Sequence, residues 1–282
     1  MKIPPDVSEW LNLLARWIHV FAGIMWVGTT YFFTWLDGRF HDAPRASEDD
    51  GKVWMVHSGG FYVVEKRGGL ELNRALHWFR WEAGVTWLSG FFLLVLLYYM
   101  GGGLLDPDSP GLFVPGLGVV WRGIGLTGGT LLGLGVLIVA WVVYDLMHRS
   151  PLGKNEVAFA AISYVLIVAV AYVMTHVLSG RAAYIHMGAM FGTIMAANVW
   201  MRILPAQRKM IAALKEGREP DGALSASAKL RSKQNTFMAV PLVFTMISNH
   251  FPVATYGHEY NWVILSVLIL LGWGAAKFIR RA

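Results

Sequence analysis

The chain contains no cysteine. That absence removes disulfides, iron–sulfur clusters, thiolate zinc sites and covalent C-x-x-C-H haem attachment, so metal chemistry falls to histidine, carboxylate or methionine. Charge is also scarce, at 15% of 282 residues against 55% hydrophobic residues. With a mean hydropathy of +0.47, this composition describes a polytopic membrane protein and excludes a soluble domain with one apolar element. A cleavable leader is not expected, because Met1–Glu9 carries prolines and acids and no small-residue cleavage site follows. The net charge of +6 would fit a nucleic-acid partner in a soluble protein; here topology accounts for it, and no nucleic acid is expected.

What the sequence does have is long apolar runs. The expected fold is all-α: one transmembrane domain over residues 1–282, a polytopic helix bundle of about seven spans without internal repeats. The spans read as Leu11–Leu36, Glu82–Met100, Gly123–Tyr144, Val157–Leu178, Ala182–Leu204, Phe237–Phe251 and Asn261–Ile279. The sixth is short and contains Pro241. Gly125, Gly129 and Gly133 in the third form a small-residue ridge suited to close helix packing. Nearly all of the 24 Lys and Arg fall on loops of one side, leaving Lys2, Arg16, Arg122 and Arg181 on the other. The positive-inside rule then puts the N-terminus outside and the C-terminus in the cytoplasm, as for a bacterial inner-membrane protein. Val53–Lys66, with two β-prone runs around Ser58-Gly59-Gly60, predicts a small hairpin in the first cytoplasmic loop. Pro205–Gln234 predicts a basic, helix-prone connector broken near Gly217–Gly222.

The first span, Arg16–Asp37, carries His19 inside its apolar part, with Gly23 and Trp26 continuing that face. A histidine in a membrane helix is costly unless it is paired or binds something. Counting inward from the span ends, His19, His176, His186 and His250 fall in one outer-leaflet layer. With no thiolate and no carboxylate at that depth, zinc is a poor ligand for the layer, whereas haem b needs only one or two imidazoles in an apolar slot. His19 and His186 are the expected ligands. At His176 and His250, interhelical hydrogen bonding is an equal alternative to haem.

Several stretches carry a family resemblance. RWIHVFAGIMWVGTTYFFTWLD (Arg16–Asp37), HSGGFY (His57–Tyr62), HWFRWEA (His77–Ala83), SPLGK (Ser150–Lys154), GRAAYIHMGAMFGTIMAANVW (Gly180–Trp200) and SNHFP (Ser248–Pro252) resemble, in order and over essentially the whole chain, the bacterial membrane-integral urate hydroxylases. These are also called cytochrome-c-linked urate oxidases. The first span is more remotely similar to membrane haem-binding protoporphyrinogen oxidases. The resemblance implies oxidation of urate to 5-hydroxyisourate, with electrons leaving through a cytochrome c. Typical members continue into a cytochrome c domain, so a cysteine-free chain implies either a truncated member or a separate acceptor protein. Urate, an anion, is expected at the basic cytoplasmic face. Its candidate contacts are Lys66 and Arg74, the rings of Trp81 or Phe61, and His77 or Glu82 as proton acceptor. Asn198, a buried amide, is the best of the polar groups that can read a purine edge. A site deeper in the bundle would use Asn198, Trp26 and Thr193. The rival readings are another haem b oxidoreductase (a porphyrinogen oxidase or quinone-linked cytochrome b) or a non-enzymatic transporter. The bundle is also compatible with a homo-oligomer.

Overall fold

The computed structural model describes residues 4–42, 51–67, 76–106, 111–114, 118–120 and 123–280. Seven α-helices dominate: α1 Pro5–Asp42, α2 Trp81–Tyr99, α3 Gly125–Arg149, α4 Glu156–Val177, α5 Gly180–Lys215, α6 Gly222–Ile247 and α7 Asn261–Ile279. All of them except α6 are long and apolar enough to cross a membrane. The first half of α6, with Lys229, Arg231 and Lys233, is too polar to qualify. Its course along α5 nevertheless carries it through the bundle. Asn235 bonds to Asn198, Thr245 packs on Gly188, and Asn249 bonds to Arg181, so α6 runs antiparallel from the middle of α5 to its N-terminus. The expected sixth span is therefore the apolar half of a longer, half-polar helix sheltered by α5 and α7.

Two small antiparallel sheets complete the described fold. β1 Lys52–His57 pairs with β2 Gly60–Glu65, and β3 Leu112–Val114 pairs with β4 Gly118–Val120. The first is the expected hairpin. Ser58 and Gly59 both have positive φ (51° and 77°), the two-residue turn whose twist matches that of the strands. Its base is held to the end of α1 by the Lys66–Asp37 ion pair at 2.5 Å. Glu65, outside the spans, is held below the usual carboxylate range by its bond from Arg67.

Composition explains the layering. In α1, Ala15, Ala22, Trp26 and Leu36 are buried on one stripe, while Trp17, Ile18, Phe21 and Ile24 are exposed on the other, where lipid takes the place of a protein core. α5 is the central helix and packs against α2, α3, α4 and α6. Near its middle, Asn198–Ile203 widens into a π-helical segment before the helix continues to Lys215. The apolar run suggests an end at Leu204; the chain instead stays helical for three further turns, and the break falls at Glu216–Asp221, as the glycines predict.

Small residues set the helix spacing. A Cβ on Gly188 would lie 2.2 Å from Thr245 Oγ1, and one on Gly272 would lie 3.0 Å from Pro241. Gly188→Ala is therefore expected to destabilise the fold by about 1–3 kcal/mol through overpacking, with partial recovery in the Gly188→Ala/Thr245→Ala double variant. Unfolding in mixed micelles measures both; a fully stable single variant would show that α5 and α6 are less closely packed than described.

Candidate functional site

The four membrane histidines do not share one layer. His19 meets α2 at Thr86, Ser89 and Gly90, whereas His186 meets it at Tyr98 and Tyr99. Those contact points stand roughly 13 Å apart along the helix at 1.5 Å per residue. The reason is the length of α1. Its 38 residues span about 57 Å against a hydrocarbon core of about 30 Å, so its N-terminal turns overhang the bundle and counting inward misplaces His19. Exposed Trp10, Leu13 and Leu14 occupy that overhang.

The two rings also differ in what their nitrogens do. His19 Nδ1–H donates to the Thr86 carbonyl oxygen at 2.9 Å, which fixes the tautomer and leaves the Nε2 lone pair without a bond. A backbone carbonyl on the far nitrogen is the usual support of a ligating imidazole. The ring comes this close to α2 only because position 90 is glycine: a Cβ there would stand 2.7 Å from His19 Cε1. Gly23, one turn further along α1, meets only Thr86 Cγ2, at 3.8 Å. His186, wholly buried, donates from Nδ1 to the Ala182 carbonyl at 2.7 Å and accepts at Nε2 from the Tyr99 hydroxyl at 3.0 Å. Gly133 of the α3 ridge gives that edge room, since a Cβ there would lie 2.6 Å from Nε2. The donor set thus fits an axial haem ligand at His19. At His186 the coordinating nitrogen is already spent on Tyr99. His176 donates from Nδ1 to the Tyr172 carbonyl and packs on that ring, and His250 is exposed beyond the end of α6.

At the other end of α2 the motif HWFRWEA turns into the helix. His77 is exposed and meets the Phe79 ring. Glu82 follows in the first turn, its Oε2 buried without a hydrogen-bond partner, and Arg80 Nε is likewise buried and unpartnered. Neither residue forms an ion pair with the other or with any described residue. Arg80 lies over the Trp81 ring at 5.4 Å, and Trp81 meets Trp200 edge-on at 5.7 Å. Thr86 links the two regions of α2. Its backbone oxygen holds His19 and its hydroxyl donates to the Glu82 carbonyl, one turn away. Of the remaining residues named from sequence, Lys66 is paired with Asp37, Trp26 is core, and Arg74 lies outside the described residues.

Asn198 is at the centre of a network that the sequence reading missed. Its amide donates to the Tyr144 hydroxyl (3.1 Å) and to Asn235 Oδ1 (2.9 Å), and its oxygen accepts from Arg231 (2.8 Å). Arg231, 2% exposed, reaches Asp145 at 2.7 Å, and Arg202 grips the same carboxylate in a fork at 2.6 and 2.8 Å. Tyr144 in turn bonds Gln234. With all of its bonds made, Asn198 ties α3, α5 and α6 together at the π-helical segment that carries Trp200. The missed signal was Asp145, an acid at the end of an otherwise apolar run; such a residue needs a named partner.

These features describe a membrane helix bundle in which His19 keeps an unbonded Nε2 beside α2, and Arg80 and Glu82 at the start of α2 form no ion pair among the described residues. Residues 5–281 match the family described as "Urate oxidase N-terminal". The chain belongs to that family. No curated protein and no solved structure matches it.

Asp145→Ala would leave the buried Arg231 without its counter-ion. The expected loss is about 3–5 kcal/mol of stability, larger than for Arg149→Ala, whose partner-facing group is half exposed. Equal losses in the two variants, measured by unfolding in micelles, would remove the buried pair from this role.

Proposed function

We propose that this chain is the membrane part of a urate hydroxylase with a single haem b on His19. The observation that carries the reading is the arrangement along α2: an imidazole with a free Nε2 at Thr86–Gly90, and the unpaired Glu82 one turn below, in a chain of the urate oxidase family. A haem b held there would supply a one-electron acceptor. This chain's residues do the rest. Glu82 takes up a proton as water adds to the purine, and Thr86 holds the His19 ring through Nδ1, which leaves its Nε2 unbonded. In the balanced reaction, the oxygen of one water bonds to C5 of urate, giving 5-hydroxyisourate. Two protons are released, and two electrons pass singly to two ferric cytochrome c acceptors.

In this scheme substrate and haem lie within reach of each other along α2. Glu82 stands roughly 6 Å below Thr86 along the helix, so the path from the basic end to the imidazole does not cross the whole bilayer. Electrons leave towards the N-terminal end of α1, which we place outside; urate enters from the cytoplasm, where the Lys and Arg loops attract an anion. His186 acts in this scheme through its bond to Tyr99, joining α2 to α5.

A purified, haem-supplemented chain is expected to show a Soret band, and anaerobic urate is expected to reduce its α band. His19→Ala should abolish the Soret band. His186→Ala should keep it while lowering thermal stability. Full haem content in His19→Ala would refute the ligand, and a haem band that urate never reduces would refute the substrate.

A further inference from the structure

The HWFRWEA turn holds two opposite charges that the fold itself leaves unanswered. Arg80 Nε and Glu82 Oε2 are both buried, and neither has a hydrogen bond or ion pair within the described residues. An unsatisfied buried polar atom costs about 1–3 kcal/mol, and more when it is charged. Arg149, Arg202 and Arg231 each reach the Asp145 carboxylate, although Arg231 Nε, like Arg80 Nε, has no partner of its own; Arg80 forms no ion pair among the described residues. Arg80 Nε can donate and Glu82 Oε2 can accept, so a ligand at this turn would meet one open donor and one open acceptor.

The surrounding groups narrow the ligand's shape. Trp81 is 62% exposed and Trp200 is 36% exposed, so indole surface stays open beside the Arg80 guanidinium. Gly84 brings Trp200 in against α2, since a Cβ there would lie 3.1 Å from the indole Cζ2. Trp200 itself is fixed by the π-helical segment that Asn198 locks from the opposite face. The ligand class is a planar heterocycle with anionic carbonyl oxygens and ring N–H groups.

We propose that Arg80, with the indoles of Trp81 and Trp200, binds the substrate anion and sets its ring against Glu82. The proposal rests on the urate reading above. It makes Arg80 the residue that selects for negative charge and Trp200 the one that selects for planarity. Urate's carbonyl oxygens accept from the guanidinium, its ring N–H faces Glu82, and its ring stacks on open indole.

The test uses the full chain in detergent, with urate as the probe. Two readouts are taken: equilibrium dialysis of radiolabelled urate without an electron acceptor, and urate-dependent reduction kinetics. Arg80→Gln is expected to weaken dialysis binding and raise the urate KM by about tenfold or more at unchanged haem content, the scale of one lost charge-assisted bond. Arg80→Lys should fall between Arg80→Gln and wild type, and Trp200→Leu should raise KM by about threefold with little change in kcat. Wild-type affinity in Arg80→Gln overturns the site, even if urate is oxidised. Haem loss in both Arg80 variants also overturns it, because the residue would then be structural. If the unaltered chain neither binds urate nor is reduced by it, the urate reading falls instead.

Discussion

The Asp145–Arg231 pair is the contact on which the basic half of the bundle depends. Burying either charge alone in a low-dielectric interior is prohibitive, so neither side chain can enter without the other. Together they reach outward: Arg231 spends a second nitrogen on Asn198, and Asn198 spends its amide on Tyr144 and Asn235. Three helices are thereby held in one register by hydrogen bonds with fixed direction. Apolar packing alone would not fix that register, because lipid tails compete equally for apolar surface. Directional polar contacts supply the specificity that hydrophobicity cannot supply inside a membrane.

That network explains why α5 has a π-helical segment where it does. A wider turn at Asn198–Ile203 lets Asn198 face α3 and α6 while Trp200, two residues on, faces Gly84 of α2. In a regular helix the two side chains would also diverge, but the added residue re-aims everything beyond it. Widened turns of this kind recur at functional sites, and here the wide turn couples the ion-pair cluster to the indole beside Arg80. The site at the mouth of α2 is thus built from the far side, by groups that never touch it.

The fold was largely legible in the sequence. Six helices follow from apolar length, the hairpin from its Ser-Gly turn, and the break after Lys215 from Gly217 and Gly222. What hid was the polar first half of α6 as part of the sixth span, because it is sheltered by α5, and shelter is a tertiary fact that no hydropathy window contains. The site was legible as residue types and not as an arrangement. Glu82 could be named from the motif, but that it is left unpaired depends on where Arg80 points. His19 could be named as a buried imidazole, but its depth depends on the overhang of α1, and its free nitrogen depends on the Thr86 carbonyl. Asp145 was the informative residue passed over, since a carboxylate at the end of an apolar run implies a buried cation elsewhere in the chain.

Under the proposed function, the place of His19 beside Thr86–Gly90 sets the electron path. In a single outer layer of histidines, the substrate would have to travel most of the way across the membrane, or the electron would have to jump that distance unaided. With the proposed ligand His19 near the middle of α2, that gap divides into two shorter parts. One runs from the mouth of α2 to His19, and the other runs from His19 to the surface at the start of α1. His186, with Tyr98 and Tyr99 packed on it, lies in the second part, roughly 13 Å beyond the His19 contacts along α2. Its spent nitrogen makes it a rigid aromatic cluster between α2 and α5, fixed by Gly133 at its edge. The same glycine ridge that the sequence offers as mere packing therefore gives His186 its room, just as Gly90 gives room to His19. In both places glycine is required because an imidazole, not another helix, makes the close approach.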